Sequence, residues 1–94
     1  MINPSIPMAK VEIYTWQFCP FCIRAKALLK KKGITFIEYK IDGNNQARIE
    51  MQERANGRNT VPQIFINDKG IGGCDELYEL EASQKLNELV DILK

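Results

Sequence analysis

Residues 10–41 constrain the fold of this chain more than any other stretch. KVEIYTW (10–16) alternates, with Val11, Ile13 and Thr15 on one side and Glu12 and Tyr14 on the other, the two-residue period of a strand. QFCPFC follows at once. IRAKALLKKKG (23–33) then reads as a helix with Ile23, Ala27 and Leu28 on one face. Lys30, Lys31 and Lys32 fall in its last turn, where cations suit the helix dipole, and Gly33 supplies a C-terminal stop. ITFIEYKI (34–41) is a second strand. Strand, helix and strand joined this tightly close as a parallel pair with a right-handed crossover.

The remainder completes a small α/β unit. NNQARIEMQERANG (44–57) is a second helix, with Ala47, Met51 and Ala55 at four-residue spacing. VPQIFI (61–66) is a short strand, and NDKG turns it into IGG as an antiparallel hairpin. From Asp75 onward, helical spacing runs through Leu77 and Leu80, then Leu86, Leu89, Val90 and Leu93; Ser83 is placed to cap a fresh helix. The expected architecture is a four-stranded mixed sheet with helices on both faces. MINPSIPMA (1–9), with two prolines, reads as a short flexible tail. It lacks the basic-then-apolar order of a secretory signal. Residues 10–94 are then a single domain, the usual number for 94 residues.

Composition excludes several functions. A net charge of +1 gives no reason to expect nucleic acid or an acidic membrane surface, and no apolar run approaches a membrane span. Three cysteines cannot all pair within one chain, whereas a secreted disulfide scaffold uses more, in even number. The expected setting is a reducing, cytoplasmic compartment, where a close cysteine pair is catalytic or metal-binding rather than structural.

That pair is Cys19 and Cys22. Cys19 falls where the first strand ends and the first helix begins. A helix start offers unsatisfied N–H groups and the positive end of the dipole, and both favour a thiolate. Pro20 suits the first helical position, because its missing N–H would have no partner there. Arg24 and Lys26 add positive potential. A stabilised thiolate is a modest nucleophile but a good leaving group, so Cys19 is suited to accepting a disulfide partner and then being displaced from it. Three other readings exist. A zinc site needs four ligands, and Cys19, Cys22 and Cys74 without any histidine would require an aspartate or a second chain. An iron–sulfur cluster could bridge two copies if outside thiols completed it. The pair could also be buried and inert. A C-x-x-C between strand and helix is the context of a redox couple, which ranks that reading first.

CPFC after a strand, TVPQIFI about forty residues later and GGCDEL shortly after resemble a dithiol glutaredoxin. IYTWQFCPFC, KALLKKKG, IDGNN and IGGCDELY resemble the bacterial, cyanobacterial type, and the similarity runs from Lys10 to the C-terminus. The resemblance implies a thioredoxin fold and glutathione as reductant, with no metal. Cys19 would be the attacking thiol and Cys22 the resolving one. Pro62 would follow a cis bond, and Val61 would pair its backbone with the glutathione cysteine. Gly73, Cys74 and Asp75 would lie at the glutamyl end, with Thr60 flanking the groove and Phe21 keeping an apolar wall. Many members carry a lysine where this chain has Trp16, so the glycyl carboxylate is assigned to Arg48, whose alternative is a solvated helix-face residue. Cys74 is read as a small groove-lining residue in preference to a regulated thiol. Implied partners are glutathione, glutathionylated or disulfide-containing proteins and, indirectly, the glutathione reductase system; a monomer is expected. The competing enzyme reading is a thioredoxin-like reductase fed by a flavoprotein. Arg48, Asp75 and the TVP segment disfavour it, since a thioredoxin has no use for a tripeptide's charged ends.

Overall fold

A strand whose two faces are both covered becomes the centre of a sheet, and β1 (Val11–Thr15) is buried along its whole length. The structure, a computed structural model, describes residues 9–90. After β1 come α1 (Pro20–Lys31), β2 (Ile37–Lys40), α2 (Asn45–Arg54), β3 (Gln63–Ile66), β4 (Lys69–Gly72), α3 (Cys74–Ala82) and α4 (Lys85–Val90). The sheet order is β2-β1-β3-β4. β1 pairs parallel with β2 and antiparallel with β3, and β3 pairs antiparallel with β4. Val11, Ile13, Ile64 and Ile66 pack on one side with Ala25, Leu28 and Leu29 of α1, Leu77 of α3 and Leu86 of α4. Tyr14 and Phe65 pack on the other with Met51 and Ala55 at α2. This is the mixed four-stranded sheet with helices on both faces, the thioredoxin fold. Among the described residues no helix is long and apolar enough to cross a membrane.

Several boundaries differ from the sequence reading, each for a local reason. α1 begins at Pro20, and its buried stripe is Cys22, Ala25, Leu28 and Leu29. Ile23 and Ala27 therefore face solvent, Ile23 at 58% exposure, because they lie off the i, i+3, i+7 row that Cys22 starts. The second strand is shorter than residues 34–41. The Ile34 amide donates to Leu29 O at 2.9 Å, closing α1 instead of joining the ladder. Ser83 does not cap the last helix. It ends α3, its hydroxyl donating to the Glu79 and Leu80 carbonyls, and the chain restarts after Gln84 at φ 64°. Asn67 and Asp68, both at positive φ, form the two-residue loop between β3 and β4, as a type I′ hairpin demands. Of the expected N-terminal tail, residues 1–8 lie outside the described residues, as does Leu93. Ala9 is buried, and its N–H donates to Val90 O at 2.9 Å.

Glu12 ties α2 to the sheet. It is a buried carboxylate in mid-strand, which is costly unless paired. Arg54 donates to both its oxygens, at 2.8 and 3.3 Å, and the Tyr39 hydroxyl donates to it at 2.7 Å. The same guanidinium donates to the Tyr14 hydroxyl at 2.9 Å and lies 4.1 Å from the centre of the Phe65 ring. Above all the Arg54 hydrogen bonds hold the Glu12 carboxyl below its ordinary 4.5. Arg54→Ala would strand a charge with 7% side-chain exposure. It is expected to cost about 3 kcal/mol in urea unfolding at neutral pH. A depressed folded pKa stabilises above the unfolded value and is lost as pH falls through the folded one. The difference between wild type and Arg54→Ala is therefore expected to shrink below pH 4.5. A difference independent of pH would mean that the arginine acts through packing alone.

Candidate active site

The turn from β1 into α1 is short and anchored at both ends. The Gln17 amide donates to both carboxylate oxygens of Asp42, at 3.0 Å each, so the turn is held against the residue two beyond β2. Phe18 follows at φ 60°, the left-handed region, and is 87% exposed. Cys19 is the N-cap of α1: the Cys22 amide donates to its sulfur at 3.1 Å. A serine or threonine oxygen commonly takes this place, and here a thiol sulfur occupies it. Pro20 fills the first helical position.

The two thiols sit in different surroundings. Cys19 is half-buried, and its Sγ lies 4.0 Å from the Val61 carbonyl oxygen. Cys22 is 1% exposed. Burial pushes the Cys22 thiol up, from the ordinary 9.0 to about 12, and its contact with Cys19 adds to the rise; the Trp16 backbone amide and Lys26 act the other way. Neutral Cys22 is therefore a protonated neighbour beneath the Cys19 sulfur.

Opposite the cysteines, the Val61–Pro62 peptide is cis. Thr60, just before it, has its hydroxyl oxygen held by the Gln63 side-chain amide at 3.2 Å. α3 begins against the same segment. A Cβ at Gly73 would come within 2.9 Å of the Pro62 carbonyl oxygen, so only glycine lets the helix start this close. Glu76 accepts the Gly73 amide at 2.7 Å, one half of a capping box. Phe21, Thr60, Val61, Pro62, Gly73, Cys74 and Asp75 together line a cleft of about 160 Å³. Cys74 is buried there at 5% exposure, and burial pushes its thiol up.

Arg48 is not in that cleft. It stands in the first turn of α2, its guanidinium 5.3 Å from the centre of the Trp16 ring, with Nη2 donating to Asn59 O at 3.5 Å. Two residues absent from the sequence reading do line the cleft, Arg58 and Glu76, whose charged ends are 3.7 Å apart. Glu76 was legible as the capping partner three residues after a helix start. Arg58, in the loop after Gly57, carries no local signal, and only the tertiary fold brings it here. Among the described residues, no three His, Cys, Asp or Glu side chains converge as a metal site.

This arrangement can carry out thiol–disulfide exchange, with an accessible sulfur at a helix start, a second thiol behind it and a cleft alongside. A raised folded value for Cys22 contributes stability in full below pH 9.0, lost as pH rises toward about 12. Reduced wild type is expected to lose about 2 kcal/mol more than Cys22→Ser between about pH 8 and about pH 10.5, in urea unfolding under reductant. Identical pH slopes in the two proteins would show that Cys22 ionises as freely when folded as when unfolded.

The glutaredoxin family model matches residues 11–71. A probable glutaredoxin of Synechocystis is 68% identical over 82 residues, covering 87% of this chain and 75% of that one. The solution structure of a glutaredoxin from Brucella melitensis superposes with a TM-score of 0.81 at 50% identity, covering 98% of each chain. A crystal structure of a buckwheat glutaredoxin–glutathione complex superposes with a TM-score of 0.80 at 26% identity, covering 87% of this chain and 76% of that one. With its C-x-x-C pair at the start of α1 on a thioredoxin fold, this chain belongs to the glutaredoxin family of thiol–disulfide oxidoreductases.

Proposed function

We propose that the protein reduces glutathione mixed disulfides and protein disulfides through Cys19 and Cys22, with glutathione as the electron donor. The observation that carries this reading is the placement of the Cys19 sulfur 4.0 Å from the Val61 carbonyl, beside a cleft that ends at the start of α3 and Asp75. Val61 can pair its backbone N–H and C=O with the cysteine residue of glutathione, as an added strand would. The γ-glutamyl carboxylate then meets the first-turn amides of α3, and its ammonium meets Asp75. Arg58 supplies a second cation on the same wall. Thr60, Pro62, Gly73 and Cys74 give the cleft its shape, and Phe21 gives it an apolar side. Arg48, beyond the cleft, is assigned the glycyl carboxylate. The buckwheat glutaredoxin seen in complex with glutathione supports a glutathione ligand on this fold.

The chemistry runs in two exchanges. The Cys19 thiolate attacks the glutathione sulfur of a protein–glutathione disulfide; a Cys19–glutathione disulfide forms, and the protein thiolate leaves and takes up a proton. A second glutathione, as thiolate, attacks the bound glutathione sulfur, releasing glutathione disulfide and regenerating the Cys19 thiolate. On a protein disulfide, Cys19 instead becomes joined to the substrate. Cys22 must give up its proton, then attacks the Cys19 sulfur and frees the second substrate thiol. Two glutathiones reduce the resulting Cys19–Cys22 disulfide, and a glutathione reductase system returns the electrons. A monomer in a reducing cytoplasm suits this cycle.

Cys19→Ser is expected to abolish turnover of every disulfide substrate. Cys22→Ser is expected to keep deglutathionylation, because free glutathione resolves the Cys19 adduct, and to lose most activity on protein disulfides. The assay supplies glutathione and glutathione reductase and follows a small glutathione mixed disulfide beside a protein disulfide. Equal loss from both substitutions on the mixed disulfide would defeat this division of labour. Asp75→Ala is expected to lower kcat/KM for the mixed disulfide roughly five- to thirtyfold, the effect of losing one charge-assisted contact open to water.

A further inference from the structure

Trp16 is the chain's single tryptophan and stands three residues ahead of Cys19. It remains 38% exposed at the end of β1, where a smaller or polar residue would close the strand at lower cost. What it contacts is a cation. The Arg48 guanidinium lies 5.3 Å from the centre of the indole, within cation–π range. Its Nη2 reaches the Asn59 carbonyl at 3.5 Å, the outer limit of a hydrogen bond. Asn59 precedes Thr60 and Val61, and Trp16 precedes the Cys19 turn. The guanidinium thus bridges the segment that leads into Cys19 and the segment that leads into Val61.

We propose that Trp16 is a positioning residue: its indole face holds the Arg48 guanidinium at the mouth of the site, and so sets affinity for substrates carrying a carboxylate near the disulfide. This rests on the function proposed above and adds to it the residue that makes the α2 cation usable. A free arginine on a helix surface spends much of its time in rotamers pointing elsewhere, and ordering it opposes binding. Contact with an indole orders it beforehand. A guanidinium has five N–H donors, and Asn59 takes one, from Nη2. The remainder can take a carboxylate through two parallel hydrogen bonds. An ammonium is a point charge that cannot pair in this way, so Arg48→Lys is expected to behave like Arg48→Ala.

The test uses the full chain with two probes of different charge. One is the mixed disulfide of glutathione and cysteine; the other is cystamine, which has no carboxylate. Trp16→Ala is expected to raise KM for the glutathione probe roughly three- to tenfold, with kcat within about twofold. Trp16→Phe, which keeps an aromatic face, is expected to recover most of that loss. Trp16→Ala combined with Arg48→Ala is expected to be no worse than Arg48→Ala alone, because the indole acts through the arginine. Single-turnover attack of Cys19 on cystamine, followed without glutathione, is expected to be the same in Trp16→Ala and Trp16→Phe as in wild type. Since Trp16 is the only tryptophan, its fluorescence reads the contact directly, and Arg48→Ala is expected to shift its emission in the folded protein.

An unchanged KM in Trp16→Ala, an unchanged emission in Arg48→Ala, or penalties that multiply in the double variant would overturn the positioning role while leaving the proposed function standing. An equal loss on cystamine would do the same, since it would mark general damage to the site. A wild type that reacts with cystamine but not with the glutathione probe would overturn both.

Discussion

Only Trp16, Gln17, Phe18 and Cys19 separate a buried central strand from a helix that must start beside it. The site depends on how that turn is held. Its chain enters at Thr15, whose hydroxyl donates to Glu38 of β2 at 2.6 Å, and the same carboxylate takes Lys26 of α1 at 2.8 Å. Strand, neighbouring strand and helix are thereby tied at one point beneath the cysteines. Asp42 then fixes the Gln17 amide. With both ends pinned, Phe18 is left in the left-handed region, which for a bulky residue persists only where the surroundings enforce it. The result is a sulfur at the N-cap of α1, in place of an oxygen.

From that placement follows the unequal treatment of two identical side chains. The turn leaves Cys19 partly open, while one helical step later the row facing the sheet begins and Cys22 is on it. The same burial that makes Cys22 part of the core with Ala25 and Leu29 also keeps it protonated. In the proposed cycle, a thiol held neutral in this way does not compete with Cys19 for an incoming disulfide and acts only once Cys19 is joined to a partner. The apolar stripe of α1 would then set the order of that chemistry.

Much of this was legible in the residues because it is written in short-range patterns. Alternation marks β1, C-P-x-C after a strand marks a helix start, and Asn67–Asp68 between apolar runs marks a tight hairpin. The rest depends on contacts made only in the folded chain or on residues that serve two roles. Alternation in β1 puts Glu12 on one face of the strand but does not name its partner, and Arg54 meets it from α2. In α1 the apolar face starts from Cys22, whose chemistry masks its place in the core; including it moves that face away from Ile23 and Ala27. Ile34 is as apolar as a strand residue, but its amide was already committed to Leu29. Trp16 and Arg48 lie in separate elements with no shared pattern, and only the packing of α2 against the end of β1 brings them into contact.

The third cysteine shows that a helix start alone does not make a reactive thiol. Cys74 is the first residue of α3 and shares a cleft wall with the groups assigned to glutathione, so it too stands at the positive end of a helix dipole. Two features oppose this. Burial raises its thiol, and although Arg24 counters part of that, Asp75 and Glu76 add to the rise. The first turn of α3 contains both of these carboxylates, whereas the first turn of α1 contains none. The acids have work of their own: Glu76 satisfies the Gly73 amide that lets α3 begin against Pro62, and Asp75 is the group assigned to the ligand ammonium. By serving the cleft they also suppress a thiolate within it. In the proposed cycle, glutathione lying along this wall has Cys19 across from Val61 and the raised Cys74 thiol under its glutamyl end, so the mixed disulfide forms on the cysteine with a second thiol behind it.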